Sequence, residues 1–360
     1  MAANSTLWVA TRKGLFGIEH GRIAYTAFVG DPVTIVTVDS RDGAVYAALK
    51  LGHFGVKLHR SDDGGRTFAE IAVPAYPAQA DAAKAGPTLG MIWALEPGGA
   101  AEPGVLWAGT IPGALFRSAD RGSSWARVES LWDRPERAKW FGGGADEPGI
   151  HSIAVHPHDA RRVIVAVSCG GVWSTADGGA SWQNRSAGMR ANYVPPAQAM
   201  DPDIQDPHRL VRCSAAPDVL WVQHHNGIFR TTDEGRTWTE IPADRVSPST
   251  FGFAVAVHPK DPNRAWFVPA ADDEKRIPVG GRVVCTRTVD GGRSFETIDR
   301  GLPREHAYHL VYRHALDIDA TGARLAFGST TGGLWESVDQ GSSWTSLFPH
   351  LPPIYAVRYA

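Results

Sequence analysis

Short apolar runs follow one another along the whole chain, punctuated by glycine. Val105-Leu106-Trp107-Ala108-Gly109-Thr110 is succeeded by Gly113-Ala114-Leu115-Phe116-Arg117-Ser118, Val163 to Val167 by Gly171 to Ser174, and Val219 to Val222 by Gly227 to Arg230. Runs this short, rich in Val, Leu, Trp and Phe and bounded by Gly or Asn-Gly, predict hairpin strands. A further apolar strand precedes each pair, clearest in Ile153 to Pro157 and Val255 to Pro259, and a fourth follows, as in Trp238-Thr239-Glu240-Ile241. Four consecutive antiparallel strands make one propeller blade.

Between the third and fourth strands the chain repeats one phrase, [Ser/Thr]-x-Asp-x-Gly-x-[Ser/Thr]-[Trp/Phe], six times. Its aspartates are Asp63, Asp120, Asp177, Asp233, Asp290 and Asp339, spaced 56 or 57 residues apart except for a last interval of 49. A period of that size marks an array of one supersecondary unit. The phrase has a mechanical reading: an Asp in a tight turn accepts hydrogen bonds from backbone N–H groups just beyond it, and Gly supplies positive φ. The closing Trp or Phe is placed to bury apolar surface between blades. These aspartates therefore read as structural.

The phrase resembles the Asp-box, or BNR repeat, of the sialidase-like propeller superfamily. That superfamily includes sialidases, two-domain xyloglucanases, sortilin-type receptors, photosystem II assembly factors and uncharacterised bacterial proteins. Six copies in phase cover nearly the whole chain. The resemblance implies an all-β propeller and leaves the activity open, because one fold hosts unrelated functions.

The chain ends supply a seventh unit. Leu7 to Ile18 matches the paired-strand pattern with a plain turn, Glu19-His20-Gly21-Arg22, in place of the box, and lacks a first strand. Ile354 to Tyr359 is a strand without a unit, so it is expected to complete the first blade and close the ring. The prediction is a seven-bladed β-propeller with four antiparallel strands per blade, residues 1–360 forming one domain. Closure removes free sheet edges.

Composition narrows the partners. A formal charge of −2 and a pI near 6.7 give no basic footprint for nucleic acid. No apolar run approaches the roughly 18 residues of a membrane span. The first residues carry no basic start followed by an apolar stretch, and Cys169, Cys213 and Cys285 are too few and odd in number for a disulfide framework. Together these point to a cytoplasmic protein.

Antiparallel order assigns each loop to one face of the disc. The Asp phrases fall on the lower face, with the His156-Pro157 and His258-Pro259 turns. In known members of the superfamily ligands meet the opposite face, which the resemblance makes the place to look. Sorted there are Arg12 and Lys13, His53, Cys169, then His224, His225 and Asn226, from the turns between second and third strands. The segments entering first strands add Asp146, Glu147 and His151, then Asp203, Asp206 and His208, and finally Glu305, His306, Tyr308 and His309. Seven of the 14 histidines thus sort to one rim.

Two readings of that rim stand side by side. In one, imidazoles and carboxylates satisfy buried loop backbone. In the other, several of His53, His151, His208, His224, His225 and His306 ligate a divalent metal such as Zn²⁺ or Mn²⁺. A metal with an open position would activate water, with Glu147 or Glu305 as general base, and the reaction class would be hydrolysis of a polar, perhaps glycosidic, substrate. Arg12, Lys13, Trp140, Asn226 and Tyr308 are the ligand-binding candidates, Trp140 because the loop 129–149 could roof a pocket and stack on a sugar. The alternative function is a non-catalytic scaffold for protein partners or assembly.

Sialidase activity is not supported by the residues. Sialidases hold a carboxylate with three arginines, and the family's Arg-Ile-Pro signature precedes the first box. Here Arg276-Ile277-Pro278 lies between the fourth and fifth boxes, and Arg12, Arg190 and Arg276 are the nearest upper-face candidates without forming an evident trio.

Overall fold

In a computed structural model, which describes residues 6–77 and 86–360, the first strands of seven sheets pack side by side around one axis. Each sheet has four antiparallel strands. Blade one is Ile354–Tyr359, Leu7–Thr11, Gly14–Glu19 and Arg22–Ala27; blade two opens with Val33–Val38 and blade three with Met91–Pro97. Blades four to seven open with Ile150–His156, Pro207–Arg212, Gly252–His258 and Leu316–Ile318. The C-terminal strand is the innermost of blade one and pairs Val357 with Val9, closing the ring as expected.

The second strands are the most apolar because both of their faces lie between neighbouring blades. Val45–Lys50 is buried throughout except at Lys50, and Leu220–His224 throughout. Trp8, Trp107, Trp221 and Trp266 on second strands and Trp173 on a third strand are essentially inaccessible. Their indoles also tie blades together: Trp266 Nε1 donates to Gln340 O of the next blade at 2.9 Å, and Trp221 Nε1 to Pro262 O at 3.0 Å. The Trp of a phrase reaches back the other way, Trp125 Nε1 to Ala72 O at 2.9 Å and Trp238 Nε1 to Arg185 O at 2.7 Å.

All six phrases form the same turn. Around Asp120, the Ser118 hydroxyl donates to Oδ1 at 2.8 Å, Ser124 N–H donates to Oδ1 at 2.8 Å, and the Ser124 hydroxyl donates to Oδ2 at 2.6 Å. Gly122 N–H closes the loop onto Ser118 Oγ at 2.9 Å. The first glycine of the last two residues in Asp63-Gly64-Gly65 could be another residue more readily than the second. Gly65 has φ +86°, and a Cβ there would lie 2.1 Å from the Trp8 ring of the neighbouring blade.

The donors also hold the turn carboxyls ionised. The Ser124 hydroxyl foremost, then Ser118, lowers Asp120 from 3.8 to about 2, and Ser181 with Thr175 does the same to Asp177. A folded-state value below the unfolded one stabilises the fold above the unfolded value and ceases to do so as pH falls through the folded one. Stability is therefore expected to decline between about pH 4 and pH 2, and the double variant Asp120→Asn/Asp177→Asn should show a shallower acid decline in circular-dichroism melts. An unchanged acid limb would refute this role.

Candidate functional site

A cavity of about 600 Å³ opens on the face opposite the six Asp turns. All seven blades line it, through the starts of their innermost strands, the segments leading into them and the turns joining second to third strands, so it lies on the ring axis. Its size is ordinary for a small-molecule site.

The innermost strands aim side chains into this cavity by a repeated device. Register shifts fall between Val33 and Ile35, Ile92 and Ala94, Ile150 and Ser152, Pro207 and Arg209, and Gly252 and Val255. A bulge leaves an extra residue unpaired and turns its side chain. The residues so placed include Thr34, Trp93, His208 and Phe253, all lining the cavity, while His151 lies buried behind Trp93 with the two rings edge to face at 5.3 Å.

The polar centre of the cavity is Asp206, in the segment entering blade five. Its Oδ1 accepts from Cys169 N–H at 3.2 Å and faces Ser168 Oγ at 3.4 Å. Its Oδ2 lies 3.3 Å from His208 Nε2 and 3.5 Å from His225 Nδ1. Gly143, in the loop before blade four, comes close enough that a Cβ there would sit 3.2 Å from Asp206 Oδ2 and 2.8 Å from Cys169 Sγ.

Each of the two imidazoles is oriented by its other nitrogen. His208 Nδ1 lies 2.7 Å from the Gly252 carbonyl, which can only accept, so Nδ1 carries a proton and Nε2 is the nitrogen turned towards Asp206. The ring is fixed by stacking on Phe253, 4.5 Å between centroids and 13° between planes. His225 Nε2 faces Asp273 Oδ2 at 3.4 Å and its ring meets Tyr193 edge-on. Burial holds His208 below its ordinary value, with the Asp206 carboxylate opposing. Asp206 stays well below the usual carboxylate range: burial raises it, but its imidazole partners and Arg313 outweigh that. Asp206 Oδ2 thus faces one ring nitrogen of each imidazole across gaps longer than a good hydrogen bond.

The other residues singled out from the sequence are distributed differently. Arg12 lines the cavity, whereas Lys13 is exposed outside it. His224 is buried within blade five, its Nε2 accepting from Asp206 N–H at 3.1 Å and its Nδ1 3.1 Å from Asn226 N, and burial pushes it down to about 3. Asn226 caps the neighbouring loop, its Oδ1 accepting from Asn192 N–H. His151 is fully buried, bonded through Nδ1 to Ser152 Oγ at 3.0 Å, and burial together with Arg313 lowers it far below its ordinary value. His53 stacks on Phe54 at the exposed rim, and Glu147, Glu305, His306 and Tyr308 are exposed and outside the cavity lining. Trp140 is buried against Trp173 at 5.8 Å, beside Arg137, so the loop it belongs to meets the cavity through Gly143, Gly144 and Ala145 instead.

Three arginines do line the cavity, Arg12, Arg276 and Arg313, where the sequence suggested no trio. Arg190 is not among them; it pairs with Glu240 at 2.7 Å. Arg313, His314, Trp93, Phe251, Phe253, Tyr312 and Asp273 were not picked out as site residues. Most sit at strand starts or in an irregular stretch before blade seven, with no glycine turn to mark them, and Asp273 lies in the loop between the second and third strands of blade six.

No family model matches the chain. It is 30% identical over 312 residues to a probable oligoxyloglucan-reducing end-specific xyloglucanase of Neosartorya fischeri, covering 79% of this chain and 35% of that protein. It is 22% identical over 297 residues to a xyloglucanase of a Paenibacillus species, covering 70% and 27%. The chain therefore spans only about a third of the length of the curated relatives it matches. Among solved structures it superposes on the GH74 xyloglucanase of Xanthomonas campestris with a TM-score of 0.69 at 19% identity, over 96% of this chain and 53% of that one. YCF48 of Cyanidioschyzon merolae aligns with a TM-score of 0.53 at 15% identity, over 87% and 84%. At these identities the structures share the fold, and the chain is a seven-bladed β-propeller with neighbours among GH74 xyloglucanases and YCF48.

Proposed function

We propose that the axial cavity is a metal-dependent hydrolytic site for a polar, carbohydrate-derived substrate. The observation that carries this reading is the convergence of Asp206 Oδ2, His208 Nε2 and His225 Nδ1, all within 4.8 Å of one another. The separations from Asp206, 3.3 and 3.5 Å, match the edge of a tetrahedron about 3.4 Å long around a Zn²⁺-like ion with bonds near 2.1 Å. The Gly252 carbonyl and Asp273 behind the two rings are the outer partners such ligands need to keep their lone pairs aimed. A divalent ion there would leave a position open to the cavity and lower the pKa of bound water towards 7.

A metal-free carboxylate-pair hydrolysis fits less well. Asp206 has one oxygen engaged by Cys169 N–H and the other between two imidazoles, so it is poorly placed to exchange protons with a substrate. Trp93, Phe251 and Tyr312 offer flat apolar walls on which a sugar ring can rest. The xyloglucanase relatives support a glycosidase-type reaction on carbohydrate. The buried, unpaired Cys169, Cys213 and Cys285 accord with a reducing cytoplasm, and that location belongs to the same proposal.

Chelator-treated protein should be inactive on xyloglucan oligosaccharides and a panel of aryl glycosides, and stoichiometric Zn²⁺ or Mn²⁺ should restore turnover. Activity indifferent to chelation would overturn the metal. Inactivity of fully loaded protein on the whole panel would favour the non-catalytic scaffold.

A further inference from the structure

One cation in the cavity has no direct ion-pair partner among the described residues. Arg313 is 9% exposed, its Nε is buried without a hydrogen-bond partner, and among the described residues it forms no ion pair. Its guanidinium lies 4.8 Å from the centroid of the Trp93 ring and 5.4 Å from that of Phe253, with its side chain on the cavity wall. Burial lowers its pKa against the pull of the nearby Asp206 carboxylate, whose Oδ2 faces the two imidazoles. A buried, unpaired guanidinium is costly to fold around. Arg276, 5.7 Å from the centroid of the same Phe253 ring, together with Arg12 and Lys50, brings the lining to four cationic side chains against the two carboxylates Asp206 and Asp273.

We infer that Arg313 is the receptor for an oxyanion carried by the ligand, so that the cavity takes an acidic rather than a neutral sugar. This rests on the reading of the cavity as a carbohydrate site, and it deepens that reading by naming the substrate class. A guanidinium offers two parallel N–H groups to a carboxylate or phosphate, and the aromatic flanks restrict its plane so that little freedom is lost on pairing. Phe253 stacks on His208 as well, which sets the anion subsite directly beside the Asp206 cluster.

The experiment measures binding of D-glucuronate, D-glucose and inorganic phosphate to chelator-treated protein by calorimetry, and follows thermal unfolding of the same samples. Glucuronate is expected to bind at least tenfold more tightly than glucose, by the usual strength of a hydrogen bond to a charged group, with affinity falling as salt rises. If phosphate binds and glucuronate does not, the oxyanion is a phosphate and the acidic-sugar assignment falls while the receptor stands. Arg313→Met should abolish anion binding yet raise the melting temperature, because it removes an unpaired buried charge and keeps an apolar chain between the rings. Arg313→Lys should bind more weakly than wild type, having lost the fork. A melting temperature that falls in Arg313→Met with anion binding intact would assign Arg313 to structure and overturn the inference, as would wild-type protein that binds neither anion. Failure of the metal reading is registered separately, by Zn²⁺ titration of the wild-type protein in the absence of any sugar.

Discussion

Asp206→Asn is expected to weaken Zn²⁺ or Mn²⁺ binding by at least about 100-fold, because it removes the one charged member of the three converging groups; loss of an outer partner alone typically costs 10–100-fold. The amide keeps an oxygen for the Cys169 N–H, which now holds Oδ1 at 3.2 Å, so the loop should stay folded. Asp273→Asn acts one step further out, through the His225 ring, and is expected to cost about 10–100-fold. Calorimetric titration of chelator-treated protein checks both, with far-UV circular dichroism as the control. An Asp206→Asn protein that binds metal as wild type does would remove the centre from this cavity.

The largest effect on stability is expected at Trp266. Its ring is wholly buried, stacks near His258 at 6.3 Å, and bonds through Nε1 to Gln340 O in the next blade. Trp266→Ala leaves a large void and removes one of the two donors to Gln340 O, Arg287 Nη1 remaining at 2.8 Å, so the loss should be about 3–5 kcal/mol. Trp266→Phe keeps most of the volume and should lose well under half of that. Urea midpoints of the two variants test the difference. Equal losses would mean that the indole hydrogen bond, rather than the filled volume, joins these blades.

The cavity and the blade interfaces are unequally legible in the sequence. The blades were readable because the same four-strand unit recurs, and each copy must bury the same positions against its neighbours. Ring closure by Ile354–Tyr359 followed from one unit lacking a strand and one strand lacking a unit. The Asp turns were readable because their hydrogen bonds are local: every partner of Asp120 lies within four residues.

The site was readable only in outline. Sorting loops by strand order put Arg12, His208 and His225 at the correct end of the ring, but it also gathered His53, Glu147, Glu305 and His306, which point to solvent at the same end. Strand order assigns a residue to a face and says nothing of its distance from the axis. The bulges at Trp93, His208 and Phe253 occupy equivalent positions in their blades, so aligning the repeats on their first strands would have recovered them. Asp206 and His225 come from one blade and Arg313 from the stretch entering another, and no periodicity relates them.

The amino-acid sequence by itself therefore determined the number of blades, their strand order and the structural work of the six aspartates, because those depend on contacts between neighbours in a regular array. Only the tertiary structure decided which polar groups meet on the axis. That choice is made by bulges and by irregular segments from all seven blades, whose side chains converge through the curvature of the ring rather than through any spacing along the chain.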